Sequence, residues 1–122
     1  MPARFRLLDP AVFADALRRF RTGEAGEDDL RMLTKHLLAL LVDEVPGGAV
    51  EVRVPPYAVA QCVEGTRHTR GTPPAVVEMD ASTWIAVATG DLAWHDAERA
   101  ARLRASGERS DLSALLPLTG EQ

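Results

Sequence analysis

The residues best suited to chemistry are few and gather near the middle of the chain. In Arg67-His68-Thr69-Arg70-Gly71-Thr72-Pro73-Pro74, two guanidinium forks, an imidazole and two hydroxyls stand within eight residues. Arginine offers a bidentate contact to planar anions, so Arg67 and Arg70, with His68 between them, form a polar loop that can hold a carboxylate or a phosphate. The same arginines can instead pair with Glu51, Glu64 or Glu78 and fasten the edge of a sheet. Cys62 stands six positions before His68, a spacing that brings a nucleophile and a base within reach across a turn. Set between Ala60 and Val63, however, the thiol reads as a small buried apolar group. The three histidines, His36, His68 and His95, lie too far apart for the ligand spacing of about three to five residues that marks a zinc site. His36 reads as a helix-surface or interface residue and His95 as a polar residue in an early helical turn. No G-x-S-x-G elbow, phosphate-binding loop or dinucleotide fingerprint occurs. The expectation is a protein with no catalytic residues, no metal and no cofactor.

The elements that must position these groups follow from caps and periodicity. Asp9 caps a first helix with Pro10 at its first position, where a missing amide hydrogen costs nothing. Phe13, Leu17 and Phe20, with Val12 and Ala16 beside them, form its apolar stripe, and Gly23 ends it. Glu27-Asp28-Asp29 open a second, longer helix where the dipole favours carboxylates, and Leu30, Leu33, Leu37, Leu40 and Leu41 recur at spacings of three and four until Pro46. Leu38 falls off that stripe, so this helix is expected to be covered on more than one side.

Val50, Val52 and Val54 alternate with charged residues as in a half-buried strand, and Pro55-Pro56 must lie at a strand end, bulge or edge. From Tyr57 to Val63 a second strand places Ala58, Ala60 and Cys62 on one face, which leaves room for a close helix or a cavity. Gly65 to Pro74 reads as loop or edge strand, and Ala75 to Met79 as the next strand. Asp80 caps a helix that Met79 and Trp84 staple and Gly90 stops. A short helix from Trp94 to Arg99, a strand from Arg102 to Ser106 and a last helix from Asp111 to Leu116 complete the order. Runs of strands between runs of helices predict an α+β fold: an open, mostly antiparallel sheet of four or five strands, covered by helices chiefly on one face.

Composition narrows the class further. The 122 residues suit one domain spanning 1–122, with two N-terminal helices over about 10–45 and the sheet and C-terminal helices over about 49–117. One cysteine makes no internal disulfide, and MPARFRLLDP lacks the apolar run of about seven to fifteen residues of a secretory signal, so the expected location is cytoplasmic. No stretch of about eighteen apolar residues exists, which excludes integral membrane association. A net charge of −4, with acids and bases mixed along the chain, argues against a nucleic-acid partner.

The series AVVEMDASTWIAVATGDLAWHDAERAARLRASGERSDLSALLPL, from Ala75 to Leu118, resembles the C-terminal half of the sterol-carrier-protein fold. Glu78-Met79-Asp80, Ala88-Thr89-Gly90, Arg102 to Gly107 and Asp111 to Leu116 hold the places of that fold's strand end, helix stop, strand-and-turn and closing helix. RVPPYAVAQC, RHTRGTPP and SGERSDLSALLP are similar to a small actinobacterial, single-domain branch usually called sterol carrier family proteins. The resemblance implies a non-catalytic carrier for a lipid, a fatty acyl chain or another elongated apolar ligand, in a tunnel between the sheet and its helices. The lining would come from Leu33, Leu37, Leu40, Val59, Val77, Trp84, Ile85, Val87, Leu103, Leu112, Leu115 and Leu116, with the last helix as wall and gate. A closed core needs the same residues, and periodicity does not separate filled from hollow. The alternative is a closed module that presents a sheet edge or the Arg-rich loop to a protein partner.

Overall fold

The computed structural model describes residues 6–65 and 75–118. The first helix, α1 (Pro10–Arg21), begins as its sequence dictates, with the Asp9 carboxylate accepting from the Ala11 N–H at 2.9 Å. Ala16 and Leu17 are buried and Phe13 and Phe20 half-buried, but Val12 is exposed and stands outside the packed stripe. A fork from Arg19 to Asp29, with nitrogen–oxygen distances of 2.8 and 2.9 Å, ties α1 to the start of α2 (Glu27–Glu44). Leu33, Leu37, Leu38 and Leu41 of α2 are fully buried, so this helix is covered on two sides, by α1 and by α3 with the sheet. His36 lies on the α1 side. Its Nδ1 accepts from the Leu8 N–H at 3.0 Å, and its ring stacks at a tilt on Phe13, 4.4 Å between centroids.

The sheet consists of β1 (Val50–Val54), β2 (Ala58–Cys62), β3 (Ala75–Met79) and β4 (Leu103–Ser106), in the order β2-β1-β3-β4. β1 pairs antiparallel with β2 and parallel with β3, and β3 pairs antiparallel with β4. This is an α+β fold with an open, mostly antiparallel sheet of four strands among the described residues. Alternation separates its faces. Val50, Val52, Val54, Ala60, Cys62, Val77 and Leu103 turn inward and are buried, whereas Arg53, Val59, Gln61, Glu78 and Arg104 stand exposed on the outer face. The small residues of β2 admit a helix, because α2 packs against that strand.

Val59 corrects the sequence reading. Its neighbours on β2, Ala60 and Ala58, face α2, so strand parity sends Val59 to the outer face, where it is 53% exposed and cannot line the interior.

Helix α3 (Ala81–Thr89) packs on α2 and is more apolar than α1 or α2, with Trp84, Ile85 and Ala88 fully buried. Asp80 caps it through the Thr83 N–H at 3.0 Å, and Gly90, in the left-handed region at φ 90°, ends it. The Trp84 indole crosses to α2 and donates to the Thr34 carbonyl at 3.2 Å. α4 (Trp94–Arg99) follows and buries Trp94 and Ala97.

The expected last helix does not form: Asp111 to Leu118 is an irregular strap with one 3-10 turn at Ser113–Leu115. The physical reasons are local. The Asp111 carboxylate captures the Ser113 N–H at 2.9 Å, Leu112 and Leu118 are both buried, and the five residues between those fixed ends are too few to recover the cost of helix nucleation.

Candidate functional site

Two concave sites among the described residues lie at the periphery of the core. The first, about 360 Å³, is a groove on the outer sheet face and its end, lined by Arg53, Pro55, Pro56, Tyr57, Ala58, Val59 and Glu78. Arg31 lies over the Tyr57 ring at 5.6 Å, and Arg53 pairs with Glu51 at 2.6 Å, so Tyr57 and Arg53 are each engaged by a neighbouring side chain.

The second is a pocket of about 340 Å³ between the end of α3, the start of α4 and the strap. Its lining is Val87, Gly90, Leu92, Ala93, Trp94, His95, Ser113, Leu116 and Pro117. That volume falls within the range of small-molecule sites, about 300 to 1,000 Å³, and the mostly apolar lining with a few polar groups is the composition such sites share.

Local sequence builds this pocket. Gly90 turns the chain out of α3, and no residue with a side chain suits the place, because a Cβ there would approach Pro117 Cγ at 3.3 Å in a left-handed conformation. Leu92 N–H then closes back on the Ala86 carbonyl at 3.1 Å, which directs Ala93 and Trp94 along the pocket. Opposite, the strap is held at its ends: Leu112 is 1% exposed, Leu118 is 0% exposed, and the Leu118 N–H donates to the Ala88 carbonyl at 3.0 Å. Between these anchors Ser113, Leu115 and Leu116 are only half-buried and Pro117 is exposed. The strap is a span fixed at both ends and loosely covered in the middle.

The structure distributes the sequence-predicted lining residues over three places. Leu33, Leu37, Val77, Trp84 and Ile85 are fully buried in the packed core, and Leu103 and Leu112 nearly so. Val87 and Leu116 meet at the second pocket, with half-buried Leu115 on the same strap. Leu40 is half-buried on α2, and Val59 is outside. Arg67, His68 and Arg70 lie outside the described residues. Leu92, Trp94 and Pro117 line the pocket without having been singled out. The signal for them was the Gly90 stop followed by a second tryptophan and, more than twenty residues on, a proline.

Reactive chemistry finds little support. Cys62 is fully buried, and desolvation pushes its thiol up to about 11, so it stays protonated and unreactive at neutral pH. Burial pushes His36 below its ordinary value, and its one lone-pair nitrogen is already occupied by Leu8. His95 is exposed, with Nδ1 3.3 Å from Glu98. Among the described residues no three His, Cys, Asp or Glu side chains gather as metal ligands, and no helix is long and apolar enough to cross a membrane.

A four-stranded open sheet with helices on one face, and an apolar pocket under a strap, define a small α+β fold. Residues 27–118 match the family model described as bacterial SCP ortholog, and the chain belongs to this bacterial sterol-carrier-protein-like family. The match covers α2 through the strap, while α1 precedes it. No curated protein matches the chain.

Proposed function

We propose that the protein is a non-catalytic, cytoplasmic carrier of a lipid, fatty acyl or other elongated apolar ligand, taken up at the pocket between α3, α4 and the strap. The observation that carries this reading is the strap itself: buried anchors at Leu112 and Leu118 flank a half-covered middle that roofs an apolar pocket beside the core. Displacing that middle joins the pocket to the interior packing around Val87 and Leu112 without unfolding either anchor, which is what a gate requires. Membership of a sterol-carrier-protein-like family supports the same reading.

The test is native mass spectrometry of the gently purified protein, followed by titration with a fluorescent fatty acid or sterol analogue. Retained lipid mass and saturable binding at roughly micromolar Kd are expected. Val87→Trp, which fills the pocket wall, weakens binding. Absence of both retained lipid and binding at tens of micromolar contradicts the proposal.

A second reading has one specific support. Among the described residues β2 is an edge strand, its segment Ala58–Cys62 carries neither charge nor proline, the devices that usually guard an edge, and Val59 is exposed on it. A closed module that adds a partner's strand there would bind protein and no lipid. The mass measurement separates the two.

A further inference from the structure

The pocket under the strap has a dry side and a wet side. Val87 and Trp94, 2% and 4% exposed, form its floor, and Gly90, Ala93, His95 and Pro117, all exposed, form its rim. No side chain at the floor offers a ligand a donor or an acceptor. Val87 has none, and Trp94 Nε1 is sealed off, so the indole shows the pocket only carbon. The two remaining polar side chains of the lining are engaged on the outer side: His95 Nδ1 stands 3.3 Å from Glu98, and Ser113 gives its N–H and hydroxyl to Asp111. A polar head placed at the floor loses its water and gains nothing in return, a cost that an alkyl carbon does not carry.

Size sets the second limit. A water molecule's share of liquid volume is about 30 Å³ and a methylene group takes roughly as much, so the pocket's 340 Å³ admits at most about eleven such groups. The ground behind the floor is closed. Ala88 follows Val87 in α3, and its carbonyl accepts the Leu118 N–H at 3.0 Å. Ala88 and Leu118 are fully buried in the packed core, and Leu112, the strap's other anchor, is 1% exposed there. A chain that reaches the floor therefore meets filled space.

Resting on the carrier reading, we infer that the pocket holds the terminal carbons, about eight to ten, of one unbranched alkyl chain, inserted tail first with the head group left in water. The chain, not the head, defines the ligand class: single-chain amphiphiles of any head charge enter. Carbons beyond about the tenth stay outside and add little affinity, and two chains side by side exceed the volume.

The experiment measures displacement of a bound fluorescent fatty-acid analogue from the full chain by a series of alkanoates, hexanoate to tetradecanoate, each below its micellar concentration. From hexanoate to decanoate, affinity rises by about three- to fourfold per added methylene, the worth of burying one. From decanoate to tetradecanoate it changes by less than about threefold in all. At physiological ionic strength, where rim charges are screened, decanoate, decanol and decyltrimethylammonium agree within about fivefold. Val87→Ala deepens the floor and moves the plateau to chains longer by about one or two carbons. The wild-type series stands even where Val87→Ala folds poorly.

Affinity that keeps climbing through tetradecanoate overturns the length limit, shows a passage into the core and leaves the carrier reading intact. A wider spread among the three heads overturns tail-first insertion. A series flat in chain length, or no displacement of an analogue that does bind, overturns this inference alone. Failure of the analogue itself to bind contradicts the carrier reading, and this inference falls with it.

Discussion

The packed core around Trp84 and the pocket around Trp94 are built from similar side chains and behave differently. Around Trp84, Leu33, Leu37, Val77 and Ile85 are all fully buried, and the indole crosses from α3 to α2 to complete a hydrogen bond. Around Trp94, Leu116 and Leu92 are half-buried, a cavity of about 340 Å³ remains, and the indole has no partner among the described residues. Filled space and satisfied donors make the first region a source of stability. Open space makes the second the less tightly filled of the two.

The largest expected effect is on the filled side. Leu37→Ala removes a fully buried side chain of α2 and lowers stability by about 2 to 5 kcal/mol in denaturant titration. Leu116→Ala, on the half-buried strap, costs under about 1.5 kcal/mol and acts chiefly on ligand affinity. An equal loss at both positions would erase the distinction between the regions.

Next come the two ends of α3. Asp80→Ala removes the acceptor for Thr83 N–H and lowers stability by about 0.5 to 2 kcal/mol. Gly90→Ala forces a side chain into the left-handed region and against Pro117, at a cost of about 1 to 2 kcal/mol. The second substitution also shifts the strap, so probe binding changes with Gly90→Ala and not with Asp80→Ala.

Acid separates a third place, the seam between α1 and α2. Burial lowers the His36 value below its ordinary one near 6.5, so over the interval between the two the unfolded chain binds a proton that the folded chain refuses. Stability therefore falls as pH drops through about 6.5 and stops falling on this account below the lowered folded value. His36→Gln removes that slope when melting temperature is followed against pH. The carboxylates held low by Arg or Ser partners, Asp15, Asp29 and Asp111, act separately, near and below pH 4.

The smallest effect belongs to the outer sheet face. Val59→Thr replaces an exposed side chain, changes stability by no more than about 0.5 kcal/mol and leaves probe binding unaltered.

Much of the core was legible because local chemistry and packing agree there. Asp9-Pro10, Asp80 and Gly90 mark helix ends by side-chain hydrogen bonds and backbone freedom, and the Val50-Val52-Val54 alternation survives because one face of the strand is buried and the other is not. Val59 was placed in the lining by resemblance, whereas strand parity turns it away from the small-residue face of β2 that α2 meets. The last helix was overcalled because the leucine spacing is helical, yet Leu112 and Leu118 are pinned by burial and the Ser113 N–H is taken by Asp111. The pocket was only partly legible, since it joins Val87 to His95 with Ser113 to Pro117, and no short pattern shows that those stretches meet.

The central claim is that the space under the strap receives an apolar ligand. Ala93 tests it most directly, because it is exposed, opens α4 and lines the pocket without contributing to the core. A fluorescent fatty-acid or sterol analogue should bind the wild-type chain saturably at roughly micromolar Kd and bind Ala93→Trp at least about tenfold more weakly, with melting temperature unchanged within a few degrees. Equal binding by the two chains, or no saturable binding by the wild type, contradicts the account.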